Sequence, residues 1–219
     1  GLSHSGSIGG DIEINQDGGA GAGAITLTGG DSDDTYAQIG HGGGQHSGEI
    51  GTDLDSADIT VTTGAGISVL GGSVQDTFAQ IGHGGDDSDA GGGQYRGDIA
   101  LTTSAGNVVV QANPTNSVTR ANRTAAQIGH GGFISSGAMK GNISVDAMAG
   151  GIAVVAGNVA NNNPAMIGHG GISMNGSKDG RINVSAGGLI DPGTTLFPPD
   201  TSILMGGGST SSNGMAQIG

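Results

Sequence analysis

One heptad recurs along this chain and constrains its fold more than any other feature. It reads Ala-Gln-Ile-Gly-His-Gly-Gly at 37–43, 79–85 and 126–132, and Met replaces Gln in a fourth copy at 165–171. The copies lie 42, 47 and 39 residues apart, and the chain finishes on Ala-Gln-Ile-Gly at 216–219. Self-similarity at such a period is typical of repeat folds, in which each unit packs only against its neighbours.

Two further motifs accompany each heptad in a constant order. The first is Gly or Ala, then Asp, Asn or Arg, then Ile-x-aliphatic, and it begins at residues 10, 57, 97, 141 and 180. The second is an Ala-Gly pair followed by aliphatic residues, and it begins at residues 22, 65, 105, 149 and 186. Alternating β-branched residues indicate strands, and the Gly, Asn and Asp clusters between them indicate turns. No segment has helical periodicity.

Three strands per unit predict an all-β fold, a right-handed parallel β-helix (β-solenoid) with three strands in each coil of about 40 residues. Its five coils would span 1–40, 41–82, 83–129, 130–168 and 169–219 as one solenoid segment. The segments 42–56 and 111–124 are expected to project as loops. A β-propeller is the alternative because its blades have similar lengths. Blades need four antiparallel strands, however, and the chain has no hairpin signals.

Composition agrees with a narrow repeat fold. Glycine supplies 49 of 219 residues and aromatic residues only 2%, too few bulky side chains for a wide globular core. Disorder is the alternative, but periodic glycines and 34% hydrophobic residues favour the solenoid. The net charge of −13 and only six Lys and Arg argue against nucleic acid as a partner. No apolar run is long enough to span a membrane. The first residue is Gly, so we interpret the chain as a piece of a longer or processed protein.

Stacked motifs would place identical side chains above one another. One isoleucine ladder comprises Ile12, Ile59, Ile99, Ile143 and Ile182, and a second, the core ladder of the heptads, comprises Ile39, Ile81, Ile128, Ile167 and Ile218. The two-residue period of a strand puts the Ala, Ile and His of each heptad on the inward side and its Gln on the outward side. The three glycines are then expected to form a sharp turn with positive φ.

The same reasoning predicts a structural histidine ladder of His41, His83, His130 and His169, stacked at one corner of the solenoid. Neighbouring imidazoles could donate and accept hydrogen bonds along the stack. Imidazoles at regular spacing could instead hold Zn²⁺, Cu²⁺ or Ni²⁺, but no carboxylate or cysteine belongs to the motif. A catalytic histidine has less support, because no serine, cysteine or acid recurs at a fixed offset from it. No catalytic residue is predicted.

Acidic clusters suggest Ca²⁺ as the one cofactor to consider. The segment GGDSDDTY at 29–36 resembles the glycine- and aspartate-rich nonapeptide of calcium-binding repeats, with Ser32 in place of its third glycine. The candidate ligands are Asp31, Asp33, Asp34, Asp86, Asp87 and Asp89. The alternative is a solvated acidic loop that keeps the solenoid soluble.

Taken together, the three motifs resemble the repeats of large bacterial exoproteins of the filamentous-haemagglutinin and autotransporter type. The resemblance covers essentially the whole chain, although the repeat of this chain is about twice as long as in the best-known shafts of that type. It implies a secreted or cell-surface solenoid used in adhesion, matrix or filament building, with cell-surface or matrix contacts. The alternatives are a polysaccharide-active enzyme of the β-helical kind or a calcium-binding surface protein. The enzyme would need aligned charged residues on one outward face, and Glu13, Thr60, Ala100, Ser144 and Asn183 form no such cluster.

The two ends of the sequence predict self-association. Written with His-Gly between them, the last and first residues read as a normal passage from one coil into the next. The expected partner is therefore self, stacked end to end as one long polypeptide or as head-to-tail subunits. An apolar insertion offers an assembly clasp, formed by Leu196, Phe197, Pro198 and Pro199.

Overall fold

The computed structural model describes residues 4–16, 23–113, 122–158, 161–190, 201–208 and 214–219. Within these ranges the chain forms strands, turns and bends, and no helix long and apolar enough to cross a membrane is present. The strands follow one another in five successive coils.

Each coil contributes four or five strands within the described ranges. The first coil contains β1 (His4–Ser5), β2 (Ile12–Gln16), β3 (Ile25–Thr28) and β4 (Tyr36–Ile39). The second contains β5 (His46–Ser47), β6 (Ile59–Thr63), β7 (Ile67–Leu70) and β8 (Phe78–Ile81). The third contains β9 (Asp89–Arg96), β10 (Ile99–Thr103), β11 (Val108–Gln111), β12 (Ala125–Ile128) and the short β13 (Gly131–Phe133). The fourth contains β14 (Ser136–Lys140), β15 (Ile143–Ala147), β16 (Ile152–Val155), β17 (Ala165–Ile167) and the short β18 (Gly170–Ile172). The fifth contains β19 (Lys178–Asp179), β20 (Ile182–Ala186), β21 (Ile203–Gly206) and β22 (Ala216–Ile218).

Corresponding strands of successive coils pair in parallel and build four five-stranded sheets. Sheet 1 has the order β1-β5-β9-β14-β19, and sheet 2 has the order β2-β6-β10-β15-β20. Sheet 3 runs β3-β7-β11-β16-β21, sheet 4 runs β4-β8-β12-β17-β22, and β13 pairs with β18. This arrangement confirms the all-β parallel solenoid that the repeats predict.

Each coil contains at least one strand more than the three that the sequence predicts. Sheets 2, 3 and 4 correspond to the three motifs, and sheet 1 is the addition. Its strand in the second coil, β5, lies inside the segment 42–56, for which the sequence predicts a loop. The strands of sheet 1 are rich in Gly, Ser and Asp and lack a common alternation, so composition alone does not mark them.

The register is constant in sheets 2 to 4. In sheet 2, Ile59 pairs with Ile12 on one side and with Ile99 on the other. The sheet 4 isoleucines pair in the same way through all five coils: Ile39, Ile81, Ile128, Ile167 and Ile218. Because side chains alternate between faces along a strand, this constant register keeps every aliphatic ladder on the inward face.

The main core is a narrow column enclosed by sheets 2, 3 and 4. Ile81, Ile128 and Ile167 are each 0% exposed, whereas Ile39 and Ile218 in the outer coils are partly covered. A second, smaller cluster next to sheet 1 contains Ile50, Ala57, Ala90, Tyr95 and Met139. Small β-branched and methyl side chains are enough for such a column, which explains how a glycine-rich chain buries a continuous apolar core.

Candidate functional site: the imidazole column

The four His-Gly-Gly turns lie at one corner of the solenoid, directly after the strands of sheet 4. The glycine that precedes each histidine has positive φ in every copy, and for Gly82 the value is 151°. A Cβ atom built on Gly82 would lie 1.9 Å from the carbonyl oxygen of Gly129 in the next coil. The backbones of neighbouring coils therefore approach too closely at this corner for any side chain, which explains why glycine occupies the position in each copy.

The histidines that follow these glycines form a continuous stack, which we call the imidazole column (His41, His83, His130 and His169). Their ring centroids are 5.2, 4.7 and 4.9 Å apart along the chain direction, and the rings are nearly parallel. His83 and His130 are fully buried, and His169 is 6% exposed. The structure therefore brings together all four histidines that the sequence singled out.

Both nitrogens of the buried rings are hydrogen-bonded, but to the backbone and not to other rings. The N–H of His41 donates to Nδ1 of His83 at 3.0 Å, and the N–H of His83 donates to Nδ1 of His130 at 3.1 Å. His130 and His169 repeat the contact at 3.3 Å. The expected ring-to-ring hydrogen bonds are thus replaced by bonds that tie the backbone of one coil to the imidazole of the next.

The second ring nitrogen crosses to the start of sheet 2. Nε2 of His130 lies 2.8 Å from the carbonyl oxygen of Gly97, and Nε2 of His169 lies 2.8 Å from the carbonyl oxygen of Gly141. A backbone N–H can only donate, so Nδ1 of these rings must be the acceptor and Nε2 must carry the proton. Each buried ring is therefore a neutral Nε2–H tautomer that bridges two corners of the solenoid.

Burial sets the ionisation of the column. Removal from water lowers the pKa of His83 to about 4, an effect that outweighs the bond to the Ala57 carbonyl and is reinforced by His41. Burial, followed by the neighbouring His83 and His169, lowers the pKa of His130 well below its usual value. Burial also lowers the pKa of His169, although the Gly141 carbonyl acts in the opposite direction. At neutral pH these three rings are uncharged.

The glutamine of the heptad lies on the face of sheet 4 opposite the aliphatic core, as the alternation predicts, but it is buried there and not exposed to solvent. Gln80 is 1% exposed and Gln127 is 5% exposed. The Nε2 of Gln127 lies within 3.2 Å of the carbonyl oxygens of His130, Gly168 and Gly170. The side chain leaves sheet 4 on the face away from the aliphatic core, but the glycine turn folds over it. Its amide thereby binds the turn carbonyls of two successive coils.

A second side-chain ladder, which the sequence reasoning missed, runs along the start of sheet 2. Oδ1 of Asp58 accepts from the N–H of Asp98 at 2.8 Å, and Oδ1 of Asp98 accepts from the N–H of Asn142 at 2.7 Å. The same contact joins Asp11 to Asp58 and Asn142 to Arg181. The signal was present in the Asp or Asn that precedes Ile in the first motif. We call this set the Asp/Asn ladder (Asp11, Asp58, Asp98, Asn142 and Arg181).

Both ring nitrogens of His83, His130 and His169 are already engaged in hydrogen bonds. Coordination of a metal by Nδ1 or Nε2 would require an existing hydrogen bond to break first. Within the described ranges, no three His, Asp or Glu side chains converge in a way that could hold a metal ion. The bridging role of the rings accounts for the histidine in each copy.

Some of the candidate calcium ligands do come together. Asp34, Asp86 and Asp87 line a cleft of about 610 Å³ beside the ion pair of Arg123 with Asp76. Burial raises the pKa of Asp86, whereas Arg123 lowers it. A guanidinium therefore already neutralises part of the negative charge in this cleft.

The remaining candidate ligands are dispersed. Asp31 and Asp33 are exposed in the loop before β4, and Asp89 accepts a hydrogen bond from the Ser136 hydroxyl. Calcium binding stays a prediction that the geometry does not strengthen. The predicted clasp of Leu196, Phe197, Pro198 and Pro199 lies outside the described residues.

The chain was compared with protein families, curated proteins and solved structures. No protein-family model matches the chain, and neither a curated protein nor a solved structure matches it. The functional argument therefore depends on the geometry of the coils themselves.

Proposed function

We propose that this chain is a segment of a stiff extracellular β-solenoid shaft or filament with a structural or adhesive role, and that it does not act as an enzyme. One observation carries the proposal: backbone pairing and two side-chain ladders run from coil to coil in a single register. A fold in which every coil offers the same contacts to the next can extend without a change of geometry.

The hydrogen bonds of the Asp/Asn ladder and of the imidazole column run in opposite directions between successive coils, and this supports a load-bearing role. In the Asp/Asn ladder the accepting oxygen of Asp58 belongs to the earlier coil and the N–H of Asp98 to the later one. In the imidazole column the accepting nitrogen of His130 belongs to the later coil and the N–H of His83 to the earlier one. Bending or separating two coils must therefore break side-chain bonds at two corners as well as the strand pairing between them.

The partner that this geometry favours is another copy or a further part of the same solenoid. Among the described residues, β2, β3 and β4 pair on one side only, and so do β20, β21 and β22. Unpaired strand edges readily recruit another strand. We propose that further coils, from the same polypeptide or from a second copy, extend the shaft at these edges and that the assembled shaft makes the cell-surface or matrix contacts.

Electron microscopy of the purified chain over a range of concentrations tests the proposal. We expect straight rods of uniform width whose lengths grow in steps of about 24 Å, the height of five coils at strand spacing. The variant Val184→Lys should stop this growth, because Val184 is an inward residue of β20 that a further coil would cover, as Val145 is covered to 1% exposure.

The matched control is Asn183→Lys, which adds the same charge on the exposed face of the same strand. This variant should form rods as the unmodified chain does, and circular dichroism should show that both variants are folded. Compact particles that never lengthen, combined with cleavage of polysaccharides, would support the enzyme instead.

A further inference from the structure

We propose that the imidazole column makes the solenoid acid-sensitive: protonation of its buried rings breaks the bonds between successive coils at this corner and opens the stack reversibly. The inference concerns the folded coils and holds whatever the shaft carries or contacts.

The hydrogen-bond geometry leaves no place for a second proton. Nδ1 of His130 already faces the N–H of His83 at 3.1 Å, and Nε2 uses its own proton towards the Gly97 carbonyl. A proton added at Nδ1 would point at another donor. The charged ring must therefore move away, and the backbone N–H that it served loses its acceptor.

Stacking makes the effect collective. The rings of His83 and His130 are 4.7 Å apart, and those of His130 and His169 are 4.9 Å apart. Two adjacent charged imidazoles at this distance repel each other strongly away from water. In the closed stack a charged ring therefore disfavours a charge on its neighbour, but once one ring has moved out its neighbours are exposed to water and take up protons more readily.

Within the part of the chain that the structure describes, few other charged groups act on the rings of the column. His41 faces His83, and both His83 and His169 face His130. Asp98 and Lys178 act on His169 with opposite signs. Among the described residues no carboxylate acts on His83 or His130, and only the carbonyl groups of Ala57 and Gly97 favour their charged forms, which burial outweighs.

The sign of the effect follows from proton binding in the two states. The pKa of His83 is about 4 in the folded chain, against about 6.5 for an unperturbed imidazole. The unfolded chain therefore binds more protons below pH 6.5, and stability is lost as the pH falls from that value towards the folded pKa. For each ring whose pKa is lowered in this way, the equilibrium constant of unfolding should rise about tenfold for every pH unit that the pH falls between these two pKa values.

Hydrogen exchange gives the local readout. The amides of His83 and His130 donate to the column, so their protection factors at pH 7.5, 6 and 5 should fall steeply and recover on return to pH 7.5. Amides of β11, which lies on sheet 3 away from the column, should lose less protection at pH 5. Most carboxylates remain ionised down to pH 5, so the window isolates the imidazoles.

Two variants and one titration make the test decisive. His130→Asn should reduce the pH dependence of unfolding by about one proton, whereas His46→Asn, which removes a buried histidine outside the column, should leave the local loss of protection intact. NMR titration of the unmodified chain should show that His83 and His130 become charged well below pH 6.5, even if His130→Asn fails to fold. Rings that charge near pH 6.5 with no loss of protection, or an unchanged slope in His130→Asn, would overturn the proposal.

Discussion

The backbone N–H of His83 donates to Nδ1 of His130 at 3.1 Å, while the two rings stack with centroids 4.7 Å apart. The side chain of His130 thus gives the preceding coil both a ring to pack against and a ring nitrogen that accepts a hydrogen bond from its backbone. The heptad is repeated because each of its residues serves this junction: Ala and Ile fill the core, Gln binds the turn carbonyls, Gly permits close approach and His bridges two corners.

Replacement of His130 by Phe separates stacking from hydrogen bonding. Phenylalanine keeps an aromatic ring in the column but leaves the N–H of His83 and the carbonyl of Gly97 without their partner. We expect a loss of about 2–5 kcal/mol in the free energy of unfolding, since two buried polar groups become unsatisfied. The measurement is denaturant unfolding at pH 7.5, followed by circular dichroism.

The control for this substitution is His41→Phe, in the first coil. That ring is only partly buried, and its Nε2 lies near the Gly10 carbonyl. A smaller loss is expected there, because water can reach the exposed groups. If His130→Phe matched the unmodified protein in stability, the hydrogen bonds of the column would have no energetic role.

The buried glutamine gives a second prediction. Gln127→Glu would point a carboxylate at three carbonyl oxygens, so we expect a loss of at least about 3 kcal/mol. Gln127→Met should cost only about 1 kcal/mol, because Met166 occupies the equivalent position in the fourth coil at 6% exposure. Thermal melting of both variants distinguishes them, and similar melting temperatures would mean that this side chain is solvated after all.

The third prediction tests the close approach of neighbouring coils by substitution of Gly82. Gly82→Ala adds a methyl group 1.9 Å from the carbonyl oxygen of Gly129 at a φ of 151°, so the neighbouring coil must move. We expect a loss of at least about 2 kcal/mol from backbone strain alone. In Gly44→Ala the nearest atom is Cε1 of Tyr36 at 3.8 Å, and stability should change by less than about 1 kcal/mol. Equal effects in chemical denaturation would contradict the packing described for this corner.

The sequence predicted those parts of the fold that a repeated side-chain pattern marks. Sheets 2, 3 and 4 follow from the alternating aliphatic residues, and the positive φ of Gly40, Gly42 and Gly43 follows from the sharp turn. The histidine column follows from the constant offset of His41 and its equivalents from the strand. In each case the local pattern and the stacked geometry require the same residue type.

Features that depend on the neighbouring coil could not be predicted in the same way. The strands of sheet 1, such as β5, are defined by their partners above and below and have no pattern of their own. The burial of Gln127 was not predicted, because the sequence does not show that the glycine turn covers the second face of sheet 4. The acceptor role of Asp98 was missed because it becomes visible only when two coils are superposed.

The Asp/Asn ladder gives the last prediction. Asp98 accepts the N–H of Asn142 through Oδ1, and Asp58 in the preceding coil accepts the N–H of Asp98 in the same way. An asparagine at 98 keeps the accepting oxygen, as Asn142 does towards Arg181, and removes a negative charge stacked on Asp58. We therefore expect Asp98→Asn to stabilise the fold slightly, by up to about 0.5 kcal/mol for an exposed charge pair. Asp98→Ala should lose about 1 kcal/mol, the net value of a hydrogen bond to the backbone.

Salt separates the two effects, because charge repulsion is screened and hydrogen bonding much less so. The gain of Asp98→Asn should shrink from low salt to about 1 M salt in urea unfolding, while the loss of Asp98→Ala should persist. A loss in Asp98→Asn as large as that in Asp98→Ala would show that the carboxylate charge, and not the oxygen acceptor, holds successive coils together at this corner.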